Sequence, residues 1–260
     1  MKRLNDLLPR FVRQRAHSQV PFDTIAPDSV VWVVGDIHGR ADLLERLIEK
    51  IDAHPQASQE SHAIFVGDYI DRGNQSARVL EHLHAWSQST THIHCLMGNH
   101  EELLLKFLED PKSQGRRWLR YGGLQTLASY GIGGFGEGAS EDQLAQIADR
   151  LAAAMPDGML GWLESLPAHW SSGNLHVVHA GANPKHAMDD QRRGDLIWGH
   201  PDFATTPRSD GQWIVHGHTI TDTPGSDGQG RIAVDTGAYY SGRLTAALIT
   251  PDGTVDLLHT

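Results

Sequence analysis

With one cysteine in 260 residues, the chain cannot form an internal disulfide. No run approaches the ~18 consecutive apolar residues that a spanning helix needs, so no membrane partner is expected. Hydrophobic residues still make up 39% of the chain, enough for a sizeable core in one α/β or layered domain. The stretch from Met1 to Arg15 is charged and lacks the apolar centre of a signal peptide. With the lone cysteine, this gives a reducing cytoplasm as the expected location. Positive charge is also scarce. Lys and Arg number 22 against 32 Asp and Glu, a formal net charge of -10, which disfavours a general nucleic-acid binder with its basic face. An anionic substrate stays open, because bound divalent cations reverse the local field.

Histidine, by contrast, is abundant at 17 residues, and most of them, such as His54, His62 and His82, are expected on the solvated surface. Residues 1–29 read as a lead-in. Lys2, Arg3, Arg10, Arg13 and Arg15 make it basic, and Leu4, Leu7, Leu8, Phe11 and Val12 recur at helical spacing, which predicts a short amphipathic helix in a terminal arm. Residues 30–260 read as a single domain. Strands at 30–34, 63–66 and 91–97 alternate with helices at 42–51 and 77–86, the pattern of βαβ packing. Residues from about 102 to 170 form a helical insert over one edge of the sheet. Its helices are expected at 103–108, stopped near Pro111, and at 116–130, 142–155 and 159–166. The glycine-rich stretch 131–138 lacks the Gly-Lys-Ser/Thr ending of a phosphate loop and reads as a flexible connection. Short strands follow at 175–178, 213–215, 232–234, 244–249 and 254–258.

Five of these runs end in a Gly beside an acid, amide or His. The segments are Gly35-Asp36-Ile37-His38-Gly39, Gly67-Asp68-Tyr69-Ile70-Asp71-Arg72-Gly73, Gly98-Asn99-His100-Glu101, His179-Ala180-Gly181 and His216-Gly217-His218-Thr219. Asp36 and His38, two apart on extended backbone, leave the same side of the chain and can bind one ion. Asp68 ends a second strand, and a carboxylate has two oxygens with which to bridge two cations. Asn99, His179 and His218 add an amide oxygen and two imidazole nitrogens. Such a shell, without thiolate, suits manganese, iron or zinc. Cys95 lies inside a strand and reads as a small buried apolar residue.

These motifs, in this order, resemble the phosphoprotein phosphatase family of the metallophosphoesterase superfamily, in particular its bacterial and phage Ser/Thr phosphatases. The resemblance runs from about Val31 to Leu248, least in the helical insert, and includes Val234-Asp235-Thr236-Gly237-Ala238 as the closing strand and loop. It implies an α/β fold of calcineurin-like type, a four-layer αββα sandwich. It also implies two divalent metal ions, manganese ahead of iron or zinc. Asp36 and His38 would hold the first, Asp68 would bridge both, and Asn99, His179 and His218 would complete the second. His100 would be the general acid, Asp71 would orient it, and Arg72 and Asn99 would bind the phosphate. The implied reaction is attack by a metal-bridging hydroxide on phosphoserine or phosphothreonine esters, with phosphotyrosine or small phosphoesters as further substrates.

Two departures stand out. The related phosphodiesterases carry Gly-His-x-His, whereas here Gly217-His218 is followed by Thr219-Ile220, so His216 reads as a residue outside the metal shell, as does His176. Many members follow Ile-Trp or Leu-Trp with a phosphate-binding Arg; here Leu196-Ile197-Trp198-Gly199 leads to His200. The second cationic grip then falls to His200, Arg192, Arg193 or Arg243, or is missing. Arg116, Arg117, Trp118, Arg120 and Tyr121 read as an amphipathic helix with Trp inside and Arg outside. Hydrolysis of dinucleoside polyphosphates is the alternative enzymatic reading. Relatives with that activity usually vary the first two motifs, which are intact here. A non-catalytic scaffold would be expected to have lost ligands, and none is lost.

Overall fold

The structure, a computed structural model, describes residues 22–260; the predicted N-terminal amphipathic helix lies outside the described residues. Strand β1 (Val31–Val34) is fully buried. Helix α1 (Ala41–Asp52) follows and buries Leu43, Leu44, Leu47 and Ile51, the predicted face. Strand β2 (His62–Phe65), helix α2 (Ser76–Ser89) and strand β3 (Ile93–Cys95) repeat the unit, and β1, β2 and β3 pair in parallel. Strands β9 (Thr245–Ile249) and β10 (Val255–His259) extend this sheet antiparallel on the other side of β1, giving the order β10-β9-β1-β2-β3. A second sheet has the order β4-β5-β6-β8-β7. It comprises β4 (His169–Ser172), β5 (Leu175–Val178), β6 (Trp213–His216), β7 (Gly225–Ser226) and β8 (Arg231–Ala233).

Strand alternation divides the apolar residues between two layers. Val31, Val33, Ile64, Val66 and Leu96 pack against Leu175, Val177, Val215, Ile232 and Val234 between the sheets. Trp32, Val34, Phe65 and Cys95 face the other way, into a helical layer. That layer contains α1, α2, α3 (Asn99–Glu109), α4 (Pro111–Trp118), α5 (Leu124–Ser129), α6 (Glu141–Ala154) and α7 (Met159–Ser165). The outer face of the second sheet, through Val178 and Ile214, meets Met188, Leu196 and Phe203. This fourth layer is thin: a 3-10 turn at Met188–Asp190, the short helix α8 (Arg193–Trp198) and the loop after it. The architecture is the expected α/β sandwich, helices, sheet, sheet, helix. No helix among the described residues is long and apolar enough to cross a membrane.

Several local expectations are corrected. The helices after α3 pack into the main helical layer. Leu103, Phe107, Trp118, Leu144 and Leu163 share a single core with Leu43 and Leu80 of α1 and α2. Helix α3 stops at Glu109, near Pro111 as expected, but Pro111 is not itself a break. It opens α4, where a missing N–H costs nothing, and the Asp110 side chain accepts the Ser113 N–H. The helix expected at 116–130 is broken by a π turn, Leu119–Gly123, in which Gly122 has φ 113°. Strands β4 and β7 and helix α8 were not foreseen; their polar, short sequences carry little periodicity. His62 is not a solvated surface residue. It is partly buried, with Nδ1 3.0 Å from His94 Nε2 and its ring tilted against His92 and Trp170.

Candidate metal centre and active site

Parallel strands align their carboxyl ends, and six such ends meet here. Asp36, Asp68 and Asn99 follow β1, β2 and β3; His179, His218 and Asp235 follow β5, β6 and β8. The two sheets face each other, so the six side chains converge at one end of the sandwich. All are buried except His218, which is partly exposed. His38, Asp68 and His100 offer ligand atoms within 4.8 Å of one another, and so do Asp68, His179 and His218. Asp68 belongs to both groups.

Backbone geometry singles out the same residues. The non-glycine residues with left-handed φ among the described residues are His38 (47°), Asp68 (54°), Asp71 (70°), Arg72 (65°) and His218 (62°). Each such conformation carries strain of about 1–3 kcal/mol and persists only where its surroundings impose it. Glu101 does much of the imposing. Its buried carboxylate accepts N–H bonds from Asp68 (2.8 Å), Tyr69 (2.8 Å), Ile70 (3.3 Å) and Gly98 (3.1 Å). Burial pushes its pKa up to about 8, with Asp68 adding to the rise. Four N–H donors filling both oxygens favour the anion. Gly217 is required by space: a Cβ there would overlap Asp36 Oδ1.

The donor set fits cations. His38 Nδ1 lies 2.7 Å from Ile70 O and His179 Nδ1 lies 3.1 Å from Val66 O; a carbonyl only accepts, so both rings carry the proton on Nδ1. Their Nε2 lone pairs then face acceptors. His38 Nε2 is 3.5 Å from Asp68 Oδ2, and His179 Nε2 is 3.4 Å from Asp68 Oδ1 and 2.9 Å from Asn99 Oδ1. His218 Nδ1 is also 2.9 Å from Asn99 Oδ1. Lone pairs turned on lone pairs repel unless a cation lies among them. Burial lowers His38 to about 3 and His179 to about 4, which keeps both rings neutral as ligands must be. For Asp68, burial raises the pKa, but His179, His100 and His38 outweigh it and hold the group ionised.

Asp36 accepts the His218 N–H at 3.1 Å. Burial, then the charges of Asp235 and Asp68, raise its pKa well above the usual range. Burial, then Asp68, pushes Asp235 up to about 6, and its Oδ1 accepts the Gly237 N–H at 2.8 Å. Carboxyls this close share a proton in the absence of positive charge. Asp235 is a site residue that residue-by-residue reading left without a role. Its signal was the same as that of the others, an acid just after a buried β run, within the Val-Asp-Thr-Gly-Ala segment.

Beside the ligand groups lies a buried dyad. His100 Nδ1 is 2.7 Å from Asp71 Oδ2. Asp71 also accepts from Trp118 Nε1 (3.1 Å) and Thr126 Oγ1 (2.6 Å), both supplied by the insert. Burial lowers the pKa of His100, but Asp68 and Asp71 outweigh it and raise it overall. Arg72 Nη2 stands 3.3 Å from His100 Nε2, and its guanidinium lies 4.9 Å over the Tyr239 ring. The predicted residues Asp36, His38, Asp68, Asn99, His179, His218, His100, Asp71 and Arg72 are therefore brought together. For His200 the structure records a local contact, its Nδ1 accepting the Asp202 N–H at 3.1 Å. Arg243 bonds Asp222 O, and Arg192 stands at the N-cap position of α8 without a side-chain capping bond. His216 turns away, with Nδ1 3.0 Å from Gly217 O and its ring against Phe203. Trp118 is buried as expected, but its bond to Asp71 was not legible from helix periodicity.

Strand-end ligands in a two-sheet sandwich define a metal-dependent phosphoester hydrolase class, and comparison with known proteins agrees. Residues 29–222 match the calcineurin-like phosphoesterase family, and the chain belongs to it. It is 38% identical over 94 residues to serine/threonine-protein phosphatase 2 of Escherichia coli (strain K12), an alignment covering 36% of this chain and 38% of that protein. An asymmetrical bis(5'-nucleosyl)-tetraphosphatase of Oceanobacillus iheyensis is 26% identical over 235 residues, covering 82% of this chain and 86% of that one. A solved structure described as a putative diadenosine tetraphosphatase superposes with a TM-score of 0.61 at 21% identity, over 91% of this chain and 97% of that chain, a likeness of fold.

Proposed function

We propose that the chain is a phosphomonoesterase acting on phosphoserine and phosphothreonine, and on phosphotyrosine as a further substrate. The observation that carries this reading is the buried His100–Asp71 pair, at 2.7 Å, beside Arg72 and Asp68. A serine or threonine alkoxide is a poor leaving group and needs a proton as the P–O bond breaks. Asp71 holds His100 with Nε2 toward the ligand groups and supports its protonated form, so the imidazolium can deliver that proton. Arg72 stands 3.3 Å from His100 Nε2 and, among the described residues, pairs with no carboxylate; its fork suits two phosphoryl oxygens. Asp36, His38 and Asp68 would hold one divalent cation, and Asp68, Asn99, His179 and His218 another, manganese ahead of iron or zinc. Cations there would supply Lewis acidity that offsets phosphate charge and makes water a stronger acid.

A second reading, hydrolysis of dinucleoside tetraphosphates, is favoured by the names of relatives that align over most of the chain. Its leaving group, a nucleotide, needs less protonation than an alkoxide, so the dyad supports the first reading more. The test is a substrate panel with added manganese, with and without chelator: a phosphothreonine peptide, a chromogenic aryl phosphate and diadenosine tetraphosphate. The first reading expects peptide turnover abolished by chelator and by Asp68→Asn, which also loses metal. His100→Ala should keep metal and lose turnover, least for the aryl phosphate. Tetraphosphate cleavage without peptide turnover would decide for the second reading.

A further inference from the structure

Three large apolar side chains are exposed among the described residues: Tyr121 at 45%, Ile220 at 37% and Tyr240 at 60%. Scattered exposure of this kind needs no explanation, but these three gather at the site. The Tyr121 ring centre is 6.2 Å from that of His100. Ile220 follows His218 by two residues. Tyr240 packs edge-on at 5.0 Å against Tyr239, whose ring lies 5.5 Å from His38 and under the Arg72 guanidinium. His38 and His100 are themselves 4.6 Å apart. A row of rings therefore runs Tyr121, His100, His38, Tyr239, Tyr240, with the phosphate-directed groups in its middle and an exposed phenol at each end.

The fold fixes both ends. Tyr121 sits in the turn Leu119–Gly123, just before the kink at Gly122, whose φ is 113°. At the next residue, Gly122, a Cβ would stand 2.6 Å from the Arg72 backbone nitrogen, so only glycine lets the turn close on the Asp71–Arg72 segment. That closure seats Tyr121 beside His100. Tyr240 lies on α9 (Ala238–Ser241), which begins after Gly237, whose N–H donates to Asp235 Oδ1 at 2.8 Å. Both tyrosines are thus tied by backbone to residues of the site, while their rings stay open to solvent. A phosphate at Arg72 leaves the organic part of its ester facing these rings, and a phenol stacks favourably with a flat aromatic group.

We propose that Tyr121 and Tyr240 set the specificity of this site, and that its substrates carry an aromatic ring near the phosphate which stacks on one of these two phenols. The inference rests on the phosphoester-hydrolase reading and adds the organic part of the substrate. A nucleobase and an aromatic peptide side chain share the required chemistry, and the arms of the test separate them.

The experiment compares two matched pairs of substrates. One pair is a phosphothreonine peptide with Trp beside the phosphoresidue and the same peptide with Ala there. The other is diadenosine tetraphosphate and inorganic tetraphosphate. The readout is the ratio of kcat/KM within a pair, for wild type and for Tyr121→Ala, Tyr240→Ala, Tyr121→Phe and Tyr240→Phe. In at least one pair, wild type should prefer the ring-bearing member about tenfold or more, the scale of base and ring stacking. One of the Ala variants should bring that ratio toward one, chiefly through KM, while its Phe counterpart keeps it. The pair that responds identifies the source of the ring. Turnover with ratios near one in wild type, or ratios untouched by both Ala variants, would overturn the proposal. Absence of turnover on all four substrates would instead strike the hydrolase reading beneath it.

Discussion

Asp71 shows how much one residue carries. It is fully buried, has left-handed backbone, and gathers His100, Trp118 and Thr126 on its two oxygens. Replacing it with Asn removes the charge that favours the His100 imidazolium. The pKa of His100 then falls, so the limb of the pH–rate profile where activity is lost as the acid deprotonates moves to lower pH. Turnover of alkyl phosphates by Asp71→Asn should drop about 10²–10⁴-fold, the range typical of general acid catalysis, and that of aryl phosphates by less. Steady-state rates across pH check both. Asp235→Asn is expected to weaken metal loading about 10–100-fold by removing a negative charge that acts on Asp36, as loss of groups supporting metal ligands generally does. Metal titration in chelator-buffered solution measures it. At this scale the sequence was informative where a residue stood inside a contiguous motif. Asp36, His38, Asp68, His100 and Arg72 could be read off directly. Trp118 could not, because its partner Asp71 is 47 positions away.

The element that decides most is the π turn Leu119–Gly123 between α4 and α5. An uninterrupted helix over 116–130 would carry neither the kink at Gly122 nor the close approach to Arg72 that the kink allows. Gly122→Ala places a Cβ against the Arg72 backbone in a left-handed residue. Its expected cost is about 1–3 kcal/mol of stability, with a loss of activity, because Arg72 or the turn must move. Urea unfolding and steady-state assays report the two effects. By contrast, Leu104→Ala in α3 should cost about 2–5 kcal/mol, because Leu104 is completely buried in the helical core and leaves a cavity. The helices of the first βαβ units were legible because their apolar residues repeat at helical spacing. The π turn was not, because two adjacent glycines mark a break without saying which way the chain goes next.

Across the whole molecule, a second histidine population lies in and beside β2 and β3 of one sheet and β4 and β5 of the other. His62, His92 and His94 cluster with Trp170, and His169 lies 2.8 Å from His176. Burial, then the neighbouring imidazoles, lowers His94 from 6.5 to about 4, and burial with His176 does the same to His169. These folded-state values lie below the unfolded one, so the native state prefers the neutral rings. Their contribution is present in full above pH 6.5 and is lost as pH falls from 6.5 toward about 4, where the unfolded chain takes up protons first. Thermal melts across that window should show falling stability, with a shallower slope in His94→Gln and His169→Gln.

The sequence by itself determined the chemistry available: which strand ends bear oxygen and nitrogen ligands, that no thiolate joins them, and that a dyad and an arginine stand near. Those facts are local, because a strand that ends in Gly followed by Asp presents its carboxylate whatever else the chain does. Only the tertiary structure decided which of these groups meet. Bringing β1, β2 and β3 of one sheet to the same end as β5, β6 and β8 of the other recruits Asp235. It also seats Tyr121 beside His100 and Tyr239 beside His38. Contacts between residues far apart in the chain depend on the packing of two sheets and a helical layer, and no short pattern of residues encodes that packing.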